Sequence, residues 1–245
     1  MALLKADFHI HTSEDPKDFI RYSACELIDM AHGLGYQVLS ITNHDRCTWS
    51  TYLRDYAKER GILLIPGMEA TIQGKHVLLL NFAFESLSLS SIKDLYALKR
   101  QGGLIVAPHP YYPSPVALGR HFTRNLGLFD AVEWSHFFCN AINFNRRMER
   151  VAKRAGIPVV GTSDAHQRRQ FHTTYSLVEA EFHVDSVIEA VKMGKVKVKT
   201  TPLPLKELLR INATMVFRNL LFKKMGLPDS AILHKSGNSA GTKPS

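Results

Sequence analysis

Six of the twelve histidines in this 245-residue chain close short apolar runs, and carboxylates stand beside them. His9 and His11 lie two residues apart in DFHIHT, so on a strand both rings leave the same face and can grip one metal ion or two adjacent ones. ITNHD supplies His44, GMEA supplies Glu69, APHP supplies His109, and VEWSH supplies His136. GTSDAH offers Asp164 and His166, again two apart. Imidazole nitrogen suits zinc, iron or manganese, whereas a carboxylate adds negative charge and can bridge two cations. The mixture favours a multinuclear transition-metal site. Such a site acidifies a bound water and clamps both the attacking and the leaving oxygen of a phosphoryl displacement, so no protein nucleophile is needed.

Residues of this kind need a scaffold that brings strand ends together, and an α/β barrel builds its sites at that rim. The apolar runs ADFHI, QVLSITN, LLIPGMEA, HVLLLNF, GLIVAPHP, DAVEWSH and PVVGTSDAH, with the stretch from Thr173 to Ala180, recur with helix-like segments between them. That rhythm reads as repeated βα units with parallel strands and outer helices. Ser23 and Glu26 in SACELIDMA form a capping box at a helix start, and Gly33 with Gly35 ends that helix. Further helices are expected near 49–60, 89–101, 140–155 and 184–193, closed by Gly61, Gly102 with Gly103, Gly156 and Gly194.

After Pro202 and Pro204 comes an apolar and basic segment that places Leu205, Leu208, Leu209, Met215, Val216 and Leu220 on one helical face. From Pro228 to Ser245 small and polar residues dominate, a composition expected to stay disordered. The net charge of +9 sits at this end: from Lys192 to Ser245 there are 11 Lys and Arg against two acids, and the rest of the chain is balanced. A basic end on a neutral body suits a localised contact with nucleic acid or an anionic surface, or simple solubilisation. No stretch is long and apolar enough to cross a membrane, and Asp7 interrupts what would be a signal-peptide core, so the expected compartment is the cytoplasm. Cys25, Cys47 and Cys139 show no CxxC spacing and suggest neither a disulfide framework nor a thiolate zinc site.

Taken in order, DFHIHT, ITNHD, GMEA, APHP and GTSDAH resemble the successive motifs of the PHP (polymerase and histidinol phosphatase) family over roughly residues 6–180. The resemblance implies a distorted (βα)7 TIM-like barrel. It further implies two or three divalent ions, zinc, manganese or iron, and hydrolysis of phosphoesters by a metal-bridging hydroxide. The matching ligand positions are His9, His11, His44, Glu69, His109, Asp164 and His166, with Glu69 expected to bridge. His9, His11, Glu69, Asp164 and His166 are the expected catalytic set. Where relatives carry a ligand soon after the paired histidines, this chain reads TSEDPKD, and either Asp15 or Asp18 could serve. Asp18 is preferred for its distance from the Ser23 cap, while Asp15 suits the turn at Pro16. His136 is carried as a ninth ligand. Arg46 and Arg168, each two residues beyond a proposed ligand, are the first choices for phosphate among Arg21, Arg46, Arg120, Arg124, Arg168 and Arg169. Tyr111 and Tyr112 beside His109 could stack on a base.

The expected organisation is a metallophosphoesterase domain over 1–200, a basic helical extension over 201–227 and a tail over 228–245. Its substrate would be a phosphorylated small molecule or a nucleic-acid end. Two other readings are an amidohydrolase-like metal hydrolase, which would need a bridging lysine that no strand end supplies, and a nucleic-acid-binding protein with a structural metal. The remaining histidines, His32, His76, His121, His172, His183 and His234, carry no motif and read as core or surface, although His121 and His172 fall in loops expected to overhang the site.

Overall fold

The computed structural model describes residues 2–224, so the expected tail at 228–245 and the end of the basic extension lie outside the described residues. The apolar runs form β1 (Ala2–Ile10), β2 (Val38–Ile41), β3 (Leu63–Leu64), β4 (Gly67–Ile72), β5 (Lys75–Leu80), β6 (Leu104–Ala107), β7 (Ala131–Ser135), β8 (Val159–Thr162) and β9 (Thr174–Ala180). A tenth strand, β10 (Val196–Thr200), follows. Helices α1 (Ala24–Gly33), α2 (Thr51–Glu59), α3 (Leu95–Leu98), α4 (Arg120–Arg124), α5 (Asn145–Ala155), α6 (Val184–Lys192) and α7 (Leu205–Lys224) lie between and after them. The capping box opens α1 as expected, with Ser23 Oγ accepting from Glu26 N and the Glu26 carboxylate accepting from Ser23 N at 2.9 Å. Gly156 closes α5 in the left-handed conformation that glycine adopts without strain.

The strands do not form one parallel series. They make two five-stranded sheets, ordered β10-β9-β1-β2-β3 and β4-β5-β6-β7-β8. β4, β5 and β6 pair antiparallel, as do β1, β9 and β10. The expected parallel series is therefore corrected to a mixed α/β arrangement whose ladders form two sheets, with the isolated parallel bridges Ile10–Ala165 and His44–Glu69 between them. Two local features account for the difference. Pro66 splits the run LLIPGMEA into β3 and β4, one in each sheet, because proline cannot donate to a ladder. Gln73 and Gly74, both at positive φ, form a two-residue turn that folds β5 back on β4.

Inward residues of both sheets share one core, with Leu4, Ala6 and Phe8 of β1 against Leu78, Leu80, Leu104, Val106, Val160 and Val178. The register of β1 with β2 slips between Asp7 and Ile10, a bulge that changes which residues face inward. Phe8 thus belongs to the shared core, Ile10 packs outward beneath α1, and His9 and His11 come into phase at the end of the strand. Where the sheets approach, Gly67 is obligatory, since a Cβ there would collide with Ser40 Oγ.

The helical extension docks, but by a narrower face than the sequence suggests. Leu208 and Ile211 are buried with Leu203, Phe137 and Cys139, whereas Leu205 and Leu209 are 48% and 61% exposed. The side chains of Met215, Val216 and Leu220 lie outside the described set. Hydrogen bonds from Tyr112 Oη to Asn212 Oδ1 (2.9 Å) and from Gln167 Nε2 to the Ile211 carbonyl (3.3 Å) anchor the helix. Both donors sit in loops next to expected site residues. Among the described residues no helix is long and apolar enough to cross a membrane.

Candidate metal centre

The loops leaving β1, β2, β6 and β8 converge with β4 on one buried cluster. His9 and His11 are fully buried, with their Nε2 atoms 3.1 Å apart. Glu69 reaches them from β4: Oε1 lies 3.5 Å from His9 Nε2, and Oε2 lies 3.4 Å from His11 Nε2 and 3.1 Å from His44 Nε2. Asp164 Oδ1 approaches the same two rings from the other side, at 3.3 and 3.4 Å. His109 Nε2 stands 3.4 Å from Glu69 Oε1. Donor atoms close enough to share an ion form three overlapping groups, His9 with Glu69 and His109, His9 with His11 and Asp164, and His11 with His44 and Glu69. The backbone is strained to achieve this, for His109 (φ 26) and Asp164 (φ 43) occupy the left-handed region that non-glycine residues rarely adopt.

A second ring of contacts orients the histidines. His9 Nδ1 meets Glu133 Oε2 at 2.7 Å, while His11 Nδ1 and His44 Nδ1 meet Asp15 Oδ2 at 2.8 and 2.9 Å. Their outer N–H groups are thus spent on carboxylates. What faces the centre is Nε2 atoms and the oxygens of Glu69 and Asp164, acceptors that only protons or cations can satisfy. Two unshared lone pairs 3.1 Å apart repel, so the donor set fits divalent cations, and its mix of imidazole and carboxylate is that of transition-metal sites.

The electrostatics agree. Burial opposes charge on His9, yet Asp164, Glu69 and Glu133 raise its proton affinity well above the ordinary value. His44 behaves likewise, burial being outweighed by Glu69 and Asp15. Burial would lift the Glu69 carboxyl, but His9, His76 and His44 hold it well below its usual range. Asp7, fully buried under the bulge and accepting from Ser163 N and His9 N, is pushed up to about 7 by burial.

The two aspartates left open by the sequence take different places. Asp15 is the orienting group: besides the two rings, it accepts from His44 N, Lys17 N and Asp18 N. Asp18 faces His166 Nε2 at 2.9 Å and His44 Nδ1 at 3.9 Å. Burial opposes charge on His166, but its hydrogen bond to Asp18, with the Asp164 charge, raises it to about 9. His136 is buried yet outside all three groups. Its Nε2 lies 3.2 Å from the Gln170 amide nitrogen, and burial drives its proton affinity down to about 3.

His76 was read from sequence as an ordinary histidine. It stands 2.8 Å from Glu69 Oε1, because the β4–β5 hairpin sets it opposite Thr71. The Gln73-Gly74 turn was the available signal. Glu133 and Gln170 carried none beyond their neighbours. Arg46 Nη1 donates to the Glu14 carbonyl, and Arg168 is exposed and paired with Glu26. Arg169 pairs with Glu207 of α7. Tyr111 packs on Phe122 beneath the Arg147 guanidinium, and Tyr112 is held between Phe137 and Phe144.

Two opposed sheets with a histidine and carboxylate cluster at one end define a PHP-like fold, and comparison with known proteins agrees. A two-domain protein from Bacteroides vulgatus, described as containing a predicted PHP-like metal-dependent phosphoesterase, superposes with a TM-score of 0.64 at 21% identity, over 86% of this chain and 69% of that one. The lesion-specific endonuclease Q of Pyrococcus furiosus superposes with a TM-score of 0.58 at 15% identity, over 86% of this chain and 66% of that one. The PHP-associated family model matches residues 143–196. An uncharacterized protein of Methanocaldococcus jannaschii is 31% identical over 134 residues, 47% of this chain and 73% of that protein. The chain belongs to the PHP domain family.

Proposed function

We propose that the protein is a metal-dependent hydrolase of phosphoesters. The observation that carries this reading is the buried cluster of imidazole nitrogens and carboxylate oxygens, in which three overlapping donor groups are linked through Glu69, His9 and His11. Two or three divalent ions, manganese, zinc or iron, would be held by His9, His11, Asp18, His44, Glu69, His109, Asp164 and His166, with His76 beside Glu69. His136 stays a candidate ninth ligand: it lies outside the three donor groups, its Nε2 faces the Gln170 amide nitrogen, and its Nδ1 is buried without a partner among the described residues. Bound cations supply an acidified water and positive charge for phosphoryl oxygens. The protein's part is to hold the ligands rigid. Glu69 would supply negative charge to the cations, Asp164 would face them from the opposite side, and Asp15 with Glu133 would orient the rings of His9, His11 and His44. Among the described residues the donor groups are formed by histidines and carboxylates, which favours this reading over an amidohydrolase-like one.

The fold neighbours include a lesion-specific endonuclease, which supports a nucleic-acid end or strand among the substrate classes, beside phosphorylated small molecules. Arg46, in the loop after His44, is the first choice for a phosphate contact. Arg168 would have to leave Glu26 to serve. The test is a screen of phosphorylated metabolites and short oligonucleotides with manganese- or zinc-loaded protein, metal content being measured on the same sample. Phosphate or nucleotide release that requires the metal supports the reading. A fully loaded sample inert on every phosphoester rejects it.

A further inference from the structure

His9 and His11 leave one strand two residues apart, yet different carboxylates back them. Asp15 serves His11 and His44 through a single oxygen, Oδ2, and also gathers His44 N, Lys17 N and Asp18 N. It ties the loop after β1 to the loop after β2. Among the described residues Glu133 receives a single hydrogen bond, from His9 Nδ1 at 2.7 Å. Its other oxygen, Oε1, is buried without a partner, and the residue is fully enclosed in β7, in register with Val160. The strand end beyond it is fixed independently, because the Asn145 side chain bonds both the N–H and the carbonyl of Ser135.

We infer that Glu133 is a positioning residue that makes the metal positions separable: through His9 it governs two donor groups, those with Glu69 and His109 and with His11 and Asp164, and leaves the third untouched. That third group, His11, His44 and Glu69, contains no His9 and is backed by Asp15. The inference rests on the metal-centre reading above. The physical cause is the tautomer. A neutral imidazole carries one N–H, and the group that accepts it decides which nitrogen keeps its lone pair for a metal. A charged acceptor also increases the donor strength of that lone pair. A buried carboxylate with one hydrogen bond contributes little else locally, so its removal reports on His9, whereas removal of Asp15 disturbs five contacts together.

The test is equilibrium dialysis of the full chain against buffered manganese or zinc, with metal per chain counted by mass spectrometry. In Glu133→Gln the amide oxygen can still accept from His9 but the charge is gone. Its expected titration is biphasic, with one position near wild-type affinity and the remainder weakened about 10- to 100-fold. A variant titration superimposable on wild type overturns the inference, and so does uniform weakening of every position. Wild-type protein that takes up no divalent ion would instead overturn the metal-centre reading. Should Glu133→Gln fail to fold, histidine nitrogen NMR on zinc-loaded wild type decides the matter. His9 is expected to carry its proton on Nδ1, and a proton on Nε2 overturns the assignment.

Discussion

His44 and His136 both follow a strand and both are buried, yet the protein gives them opposite characters. Behind His44 stands Asp15, with Glu69 in front, and together they overcome burial and raise its affinity for positive charge. Beside His136 stand an amide and the Phe137 ring, whose centroid is 4.0 Å away, and burial leaves the imidazole neutral down to about pH 3. The same contrast separates two sides of the site. The side formed by β1, β2 and β4 is backed by carboxylates, while the side beyond β7 is lined by Gln170, Gln167 and the apolar seat of α7. A strand-end histidine is suited to hold a cation by what stands behind its ring.

The comparison is tested most severely at Glu69, which belongs to two donor groups. Glu69→Gln should abolish turnover and lower metal occupancy while the far-ultraviolet circular dichroism stays that of the folded protein. A neutral amide cannot offset repulsion between neighbouring cations. Undiminished activity with normal metal content would remove Glu69 from the centre.

Next in size is the pair of histidines itself. His44→Asn should weaken at least one metal position by about tenfold or more, the loss expected when the charge and orientation at a ligand are disturbed. His136→Asn should leave the metal count per chain unchanged. If His136→Asn strips metal as His44→Asn does, the two sides are not distinct.

Acidity separates them again. His9 and His44, raised well above the ordinary value, and His166, raised to about 9, hold protons that a metal must displace. Metal affinity is therefore expected to rise with pH from 6 towards 9, and to level off above the raised values, where no proton remains to be released. His136, already neutral across that range, adds nothing to the slope, so the pH dependence in His136→Asn should match wild type. Chelator competition at several pH values measures both.

The smallest effect on the metal centre should come from the seat of α7. Ile211→Ala removes a fully buried side chain and is expected to cost about 2–4 kcal/mol by denaturant unfolding, with metal content unchanged. Loss of metal in this variant would show that α7 braces the centre through Tyr112 and Gln167.

The short-range patterns were legible early. Two-residue spacing put His9 with His11, and the serine and glutamate of SACELIDMA capped α1, because both depend on neighbours along the chain. The parallel series failed at β4 and β5, where a two-residue turn was outweighed by the βα rhythm, and His76 was lost with it. β10 likewise lies outside the βα rhythm. Its alternation of Val196 and Val198 with exposed lysines is an edge-strand pattern, and it gains meaning only when Val198 packs beside Gly161.

What the sequence determined by itself was the order of the histidine and carboxylate motifs, since candidate ligand chemistry resides in side-chain type and local spacing. Tertiary structure alone decided which partner stands behind each ring. Glu133 reaches His9 across 124 residues, Asp15 reaches His44 across 29, and Gln170 reaches His136 across 34. Tautomer, charge and donor strength depend on those distant contacts, which no local pattern encodes, and so the difference between histidines backed by carboxylates and one beside an amide appears only after the two sheets close on each other.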